Sequence, residues 1–231
     1  MDGEILREIL LNEGATVVGF GSVAEALDAD REMGHLDRAV SIGLCANLRE
    51  NNLKELSRLQ KRTVRILKSE GYRILSIPPD SDRVEGKFVS RLYPRLTHKV
   101  AATCAGIGWI GRNGLLVSPY FGPRLSLATV LTDAPFDVDV PITRSLCGDC
   151  TLCRVHCPSD AITGNEWSRS DPFPELVRAE RCRSHKTSTR RTSEKPNCGL
   201  CITICPFGRN GKATRTHAGR GLKEGKVHGD P

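Results

Sequence analysis

Ten cysteines carry most of the chemistry that this chain of 231 residues can perform, and eight of them lie between residues 147 and 205. Four form the pattern C-x2-C-x2-C-x3-C-P, from Cys147 through Cys150 and Cys153 to Cys157. In such a run three close thiolates bind one cubane iron–sulfur cluster, and the fourth binds a second cluster. A tight loop reaches three corners of a cube, so the fourth ligand comes from elsewhere in the chain. The spacing therefore predicts two four-iron clusters.

A second run, C-x2-C-x3-C-P, begins at Cys198 and lacks one cysteine of the full pattern. Cys182 is available to replace it. By the ferredoxin crossover rule and by this count, the first cluster is predicted to use Cys147, Cys150, Cys153 and Cys205, and the second Cys157, Cys182, Cys198 and Cys201. Zinc is the alternative metal, but zinc sites usually pair two C-x2-C knuckles across a longer loop. The remaining thiols, Cys45 and Cys104, lie in apolar patterns and are predicted to be buried structural residues.

The cysteine usage indicates a reducing compartment, because the cysteines are clustered and the N-terminus has no basic segment leading into an apolar stretch. We therefore expect a cytoplasmic protein. No apolar run reaches about 18 residues, so neither a membrane span nor a membrane partner is expected.

The positive charge is unevenly distributed. The first 140 residues contain 18 Lys and Arg against 18 Asp and Glu, whereas residues 141–231 contain 16 against 9. A basic face in the second part suits nucleic acid, an acidic redox protein or a phosphorylated ligand. The alternative is a solvated face that balances the negative charge of bound clusters.

Hydrophobic periodicity predicts a layer of alternating helices and strands before the cysteines. The expected helices cover residues 3–13, 53–70 and 95–105, and the expected strands 16–20, 39–44, 72–77, 115–118 and 125–132. We predict an α+β fold made of an α/β domain (1–140), a double-cluster cysteine module (141–209) and a basic flexible tail (210–231). The glycine-rich turn at 106–111 follows a helix, so it is no dinucleotide fingerprint. It is either a tight structural turn or a place where the backbone and Trp109 approach a flat ligand.

Residues 105–136 (AGIGWIGRNGLLVSPYFGPRLSLATVLTDAPF), followed by CGDCTLCRVHCPSDAI and RCRSHKT…CGLCITICPF, resemble the epoxyqueuosine reductase family. They are also similar to corrinoid-dependent reductive dehalogenases. The resemblance implies a nitroreductase-like α/β domain that holds cobalamin and a bacterial ferredoxin-like module that reduces it. It supports Cys182 as a cluster ligand. It also implies corrinoid contacts in the glycine-rich turn, at Gly108, Trp109, Gly111, Arg112 and Asn113.

The chain departs from the epoxyqueuosine reductase pattern at the catalytic Asp. Counting back from Trp109, that position falls near Leu92 and Tyr93, and Asp80 and Asp82 lie about a dozen residues too early. Tyr93 is the remaining candidate proton donor, since dehalogenases use a tyrosine; the alternative is that Tyr93 is a packing residue. The family also usually continues into a helical-repeat region that helps to hold tRNA, and this is not expected here.

Three functions follow from these features. In the first, two clusters pass electrons to a centre in the α/β domain, a corrinoid. In the second, the chain is an electron carrier that docks on a partner enzyme without its own corrinoid. In the third, it is a cobalamin-dependent epoxyqueuosine reductase acting on tRNA. Whether the chain is itself an enzyme stays open; if so, it is an oxidoreductase with a redox protein as its partner.

Overall fold

The computed structural model describes residues 2–27, 35–45, 52–79, 96–171, 175–192 and 198–208. The α/β part contains α1 (Gly3–Asn12), β1 (Val17–Ser22), α2 (Ala24–Leu27), β2 (Arg38–Cys45), α3 (Asn52–Ser69), β3 (Ile74–Ile77), α4 (His98–Cys104), β4 (Trp109–Ile110), β5 (Leu116–Val117) and β6 (Leu125–Thr132). The cysteine module contains α5 (Leu152–Val155), α6 (Ala179–Thr192) and α7 (Leu200–Thr203).

Four strands form the central sheet in the order β1-β2-β6-β3, and every neighbouring pair is antiparallel. The two middle strands pair along their whole length, from Arg38 opposite Thr132 to Cys45 opposite Leu125. Helices α1 and α3 cover one face with a core that includes Leu6, Leu56 and Phe20. Their apolar residues recur at helical spacing, which explains why the sequence predicted both helices within two residues of their ends.

Helix α4 covers the other face and comes unusually close to β1. A Cβ atom at Gly19 would lie 2.5 Å from the Ala105 carbonyl oxygen, and one at Gly21 would lie 2.6 Å from the Cys104 carbonyl carbon. Glycine at both positions therefore lets the helix pack directly on the strand backbone. This close approach fixes where α4 ends and where the glycine-rich turn begins.

The mixed α/β architecture that the sequence predicts is confirmed, whereas the nitroreductase-like and ferredoxin-like descriptions and the domain limits stay predictions. Five elements were not predicted: α2, β4, α5, α6 and α7. The glycine-rich turn contains β4, which pairs with β5 in a small hairpin. Helix α6 lacks an apolar stripe, because charged and small polar residues fill most of its length.

The segment between residues 135 and 141, expected as a boundary, is anchored to the α/β layer. Asp139 accepts hydrogen bonds from both Arg7 and the Phe20 amide, at 2.9 and 2.8 Å. The Ile142 amide donates to the Thr103 carbonyl oxygen at 2.9 Å. The cysteine module is therefore held close to α4 and β1.

A second junction joins the loop before β6 to the last described residues of the module. Gly122 and Gly208 both have positive φ angles, of 57° and 74°. A Cβ atom at Gly122 would lie 2.1 Å from the Phe207 carbonyl oxygen, and one at Gly208 would lie 2.3 Å from the Gly122 nitrogen. Only glycine fits at either position, since two backbones touch there.

No helix in the described part of the chain is both long enough and apolar enough to cross a lipid bilayer.

Candidate redox centre

The first predicted set of thiols gathers around Cys153. A turn with Gly148 at a φ of 53° brings the Cys150 amide within 3.1 Å of the Cys147 carbonyl oxygen, and α5 follows at once. Burial first, and then negative charge on Cys147, Cys150, Cys201 and Cys205, together raise the pKa of Cys153 to about 11. Burial also raises the pKa of Cys205, with further contributions from Cys147 and Cys150. The four thiols of the first set thus interact with one another electrostatically, and Cys201 of the second set lies within the same range.

The second predicted set is similarly coupled. Burial raises the pKa of Cys201, and charge on Cys182, Cys198 and Cys157 raises it further. For Cys157 burial also acts to raise the pKa, but hydrogen bonds to the sulfur outweigh burial and lower it. One of them is the Ala161 amide, which donates to the Cys157 Sγ at 3.3 Å. Such N–H···S bonds stabilise a thiolate.

The donor set suits four-iron clusters better than a single ion. All eight thiols are free, and none forms a disulfide. Within the described ranges, no three His, Cys, Asp or Glu side chains converge closely enough to hold one metal ion. Thiolates that each bind a different iron atom of a cubane stand further apart than four ligands of one zinc ion. Eight free thiols supply the number and type of ligands that two cubanes require, whereas the clusters themselves and the assignment of each ligand stay predictions.

Trp109 lies between the α/β layer and the first set of thiols. Its indole is 1% exposed and packs with Cys205 and Phe207. Its Nε1–H donates to the Cys147 Sγ at 3.4 Å, and its ring meets Phe207 edge to face at 4.9 Å. The α/β domain thus delivers a hydrogen-bond donor to a predicted cluster ligand.

The two glycines predicted to contact a flat ligand are packed against protein. A Cβ atom at Gly108 would lie 2.3 Å from the Val117 carbonyl oxygen. At Gly111 a Cβ atom would lie 2.7 Å from the Val117 Cγ2 and 3.5 Å from the Cys147 Sγ. Both glycines therefore allow the β4–β5 hairpin to close beside the first thiol set.

Arg112 and Asn113, also predicted as corrinoid contacts, reach into the cysteine module. Arg112 donates to the carbonyl oxygens of Gly164 and Gly148 and to Glu166. Asn113 Nδ2 donates to the Cys201 carbonyl oxygen at 3.2 Å. All of these turn residues except Gly108 thus contribute to the contact between hairpin and module, and the contact of all five with a corrinoid stays a prediction.

A cavity of about 240 Å³ lies on the other side of the same hairpin. Leu115 and Leu116 line it together with His98, Lys99 and Ser126. Lys99 Nζ donates to the Gly114 carbonyl oxygen at 2.7 Å, and burial lowers its pKa. His98 is held between Thr129 and the Pro78 carbonyl oxygen, at 2.8 and 2.9 Å. Sequence reasoning missed Lys99, whose only signal is a charge at the start of an otherwise apolar helix.

This cavity is smaller than the roughly 300–1,000 Å³ of ordinary small-molecule sites. A corrin ring does not fit within the described walls alone. Most of the residues that line the cavity are leucines, and His98 and Lys99 add two polar groups. The described residues therefore account for part of a corrinoid site at most.

Two of the predicted features lie outside the described residues, and one prediction about a cysteine is wrong. Tyr93, the candidate proton donor, and the basic tail at 210–231 lie outside the described residues. Cys104 is buried, as predicted, but the prediction of a buried Cys45 is wrong, because this thiol ends β2 and is exposed. The apolar pattern of β2 continues to Cys45, which is why the sequence predicted burial, but the hydrophobic core ends before this residue.

Comparison with known proteins places the chain beside one group of reductases. No protein-family model matches it. Curated relatives named epoxyqueuosine reductase include one from Synechococcus sp. (strain RCC307), 37% identical over 123 residues, and one from Bacillus subtilis (strain 168), 33% identical over 132 residues. These matches cover 50% and 53% of this chain, and only 35% and 31% of the relatives. The chain thus spans about a third of the length of the relatives it matches.

Solved structures extend the likeness to nearly the whole fold. A crystal structure of epoxyqueuosine reductase superposes with a TM-score of 0.63 at 21% identity, covering 95% of this chain and 68% of that one. A catabolic reductive dehalogenase gives 0.65 at 19% identity, covering 94% of this chain and 34% of that one. At such identity the likeness concerns the fold alone. Together with the curated relatives, it confirms the resemblance to epoxyqueuosine reductases and reductive dehalogenases.

Proposed function

We propose that this chain is an iron–sulfur oxidoreductase in which two four-iron clusters pass electrons from the cysteine module to a corrinoid held by the α/β domain. One observation carries the proposal: the Trp109 Nε1–H donates to the Cys147 Sγ, so a predicted cluster ligand is hydrogen-bonded to the α/β domain itself. Four-iron clusters supply one-electron transfer at potentials tuned by hydrogen bonds to their sulfurs. Electrons in the first cluster would leave the module at this junction.

The corrinoid is proposed for the side of the hairpin opposite the thiols. There the leucine-rich cavity lies behind Leu115 and Leu116, which belong to the hairpin whose other side meets Cys147 and Cys201. A bound corrinoid would supply strongly reducing cobalt chemistry. Lys99 and His98 would present polar groups to the ligand from α4.

Epoxyqueuosine in tRNA is the substrate that the curated relatives support best. Relatives covering half of this chain carry that enzyme's name, and one fold neighbour was solved with an epoxyqueuosine-modified tRNA stem–loop. A general acid must lie within hydrogen-bond reach of the leaving oxygen. No carboxylate stands at residues 92 and 93, so Tyr93 is the proposed donor.

A carrier without its own corrinoid is the second candidate. Two observations favour it: the described cavity measures only about 240 Å³, and four of the five turn residues, all except Gly108, contact the cysteine module. Such a chain would have full clusters and bind no cobalt cofactor.

The first experiment counts iron and sulfide in anaerobically purified protein. We expect about eight irons per chain. Replacing Cys205 by Ser should remove one cluster, leaving about four irons. The matched control is Cys45→Ser, an exposed thiol outside both sets, which should retain all eight. Full iron content in the Cys205 variant would contradict the ligand assignment.

The second experiment adds cobalamin and follows the cobalt(II) signal by electron paramagnetic resonance. A changed signal supports a corrinoid enzyme, and turnover of an epoxyqueuosine-containing stem–loop would identify its substrate. An unchanged signal beside intact clusters would reject the corrinoid and support the carrier.

A further inference from the structure

Helix α3 carries a row of positive charges on the side away from the core. Lys54, Arg58, Lys61 and Arg65 follow at spacings of four, three and four residues, so they lie along one face. All four are exposed, while the opposite face of the helix is buried against the sheet. The whole helix contains six Lys or Arg and one Glu. The balanced charge of residues 1–140 therefore conceals a strongly basic helix.

These four side chains line a single groove of about 400 Å³, together with Leu53, Ser57 and Pro79. We call it the α3 groove. Only Arg58 has close carboxylates, Glu55 at 2.9 Å and Glu13 at 3.2 Å. Within the ranges that the structure describes, Lys54, Lys61 and Arg65 have no carboxylate partner. The groove thus holds unneutralised cations.

The α3 groove is continuous with the cavity behind the β4–β5 hairpin. Leu53 and Pro79 line both, and Lys99 adds a partly buried amine on the cavity side. A chain of negative charges lying in the groove would lead directly to the cavity entrance. The row of cations extends for about 16 Å at the helical rise, which is long enough to contact several successive phosphates of one strand.

We infer that the α3 groove binds the phosphate backbone of an RNA strand and so directs an RNA substrate to the neighbouring cavity. This rests on the tRNA form of the proposed function and names where that substrate is held. An RNA backbone suits the groove better than an acidic protein, since the lining offers evenly spaced cations and only one exposed large apolar side chain, Leu53. Phosphate contacts give binding that weakens steeply with salt.

The test measures binding of a fluorescein-labelled, unmodified tRNA anticodon stem–loop by anisotropy across a range of salt concentrations. The groove variant is Lys61→Glu with Arg65→Glu. The control is Arg73→Glu with Arg183→Glu, which changes the charge equally at two exposed sites that lie outside both α3 and the groove. Unchanged iron content and circular dichroism show that both variants fold.

We expect the groove variant to bind at least about tenfold more weakly and to lose about 1.5 from the slope of log K against log salt, while the control stays within about threefold. Equal binding by both variants would overturn the groove assignment and leave the proposed function intact. If wild-type protein does not bind the stem–loop, both the inference and the tRNA substrate fail, whereas the iron count still tests the clusters. Binding of poly-glutamate instead of RNA would assign the groove to an acidic protein and overturn the inference.

Discussion

At the scale of single residues, Trp109 is the main side chain of the α/β domain that contacts the first set of thiols. Its indole donates to Cys147 and packs on Cys205, so it touches two predicted ligands of the same cluster. A hydrogen bond to a ligand sulfur stabilises the reduced, more negative cluster and raises its potential. In the proposed function, the α/β domain would therefore tune the potential of the cluster from which it receives electrons.

Replacing Trp109 by Phe should lower the potential of the first cluster by roughly 40 mV, since losing about 1 kcal/mol of hydrogen bonding has that effect on a one-electron couple. A redox titration followed by electron paramagnetic resonance measures both clusters, and the second should not move. The matched control is Trp167→Phe. Trp167 is also buried, and its Nε1 has no hydrogen-bond partner among the described residues. An equal shift in both variants would contradict the argument.

The sequence predicts the residues of this junction better than it predicts their contacts. Cysteine spacing is local information, so two coupled thiol sets could be anticipated from it. The direction in which Arg112 and Asn113 point depends on the β4–β5 pairing, and a two-residue strand has no periodicity to detect. Lys99 was missed for a similar reason, because only the fold buries it.

At the scale of elements, the segment after β6 acts as a clamp between α1, β1 and the cysteine module. Arg7 is only 5% exposed, and its guanidinium donates hydrogen bonds to the Val18 carbonyl oxygen and to both carboxylate oxygens of Asp139. The same carboxylate accepts the Phe20 amide. The boundary expected from composition is thus a fixed connection.

Changing Asp139 to Asn should lower the free energy of unfolding by about 3 kcal/mol, because it leaves a buried guanidinium without its counter-charge. This loss is at the lower end of the roughly 3–5 kcal/mol that breaking a buried ion pair costs. The reason is that the exposed Glu4 carboxylate lies 3.3 Å from the same Arg7 nitrogen and still offsets part of its charge. Anaerobic denaturant unfolding measures it. Asp137→Asn, two residues away and exposed, is the control and should change stability by less than about 0.5 kcal/mol. Similar losses in both variants would show that the Arg7 pair is not the cause.

At the scale of the whole molecule, the α/β domain has a much larger hydrophobic core than the cysteine module. The α/β domain has apolar cores on both faces of its sheet, whereas the fully buried apolar residues of the described module are few, chiefly Ala161, Ile162 and Trp167. The module also leaves Val155 72% exposed. The predicted clusters, once bound, would therefore supply much of the energy that holds the module together, as metal binding does in other small domains.

Removing the clusters with ferricyanide and a chelator should unfold the module and leave the α/β domain folded. Limited trypsin digestion with mass spectrometry should then cut first within residues 144–191, while a fragment ending near residue 140 survives. Holoprotein treated in parallel is the control. Early cutting within the sheet would contradict this division.

The meeting of Gly122 and Gly208 bears on how the protein is made. During translation the residues of the sheet and its helices, up to Phe136, emerge from the ribosome before the first predicted cluster ligand, Cys147. The final ligand of the first set, Cys205, emerges just before the glycine that locks against the loop before β6. The predicted clusters would thus be inserted beside a sheet that has already emerged, and the last backbone crossing would close as the predicted ligand set becomes complete.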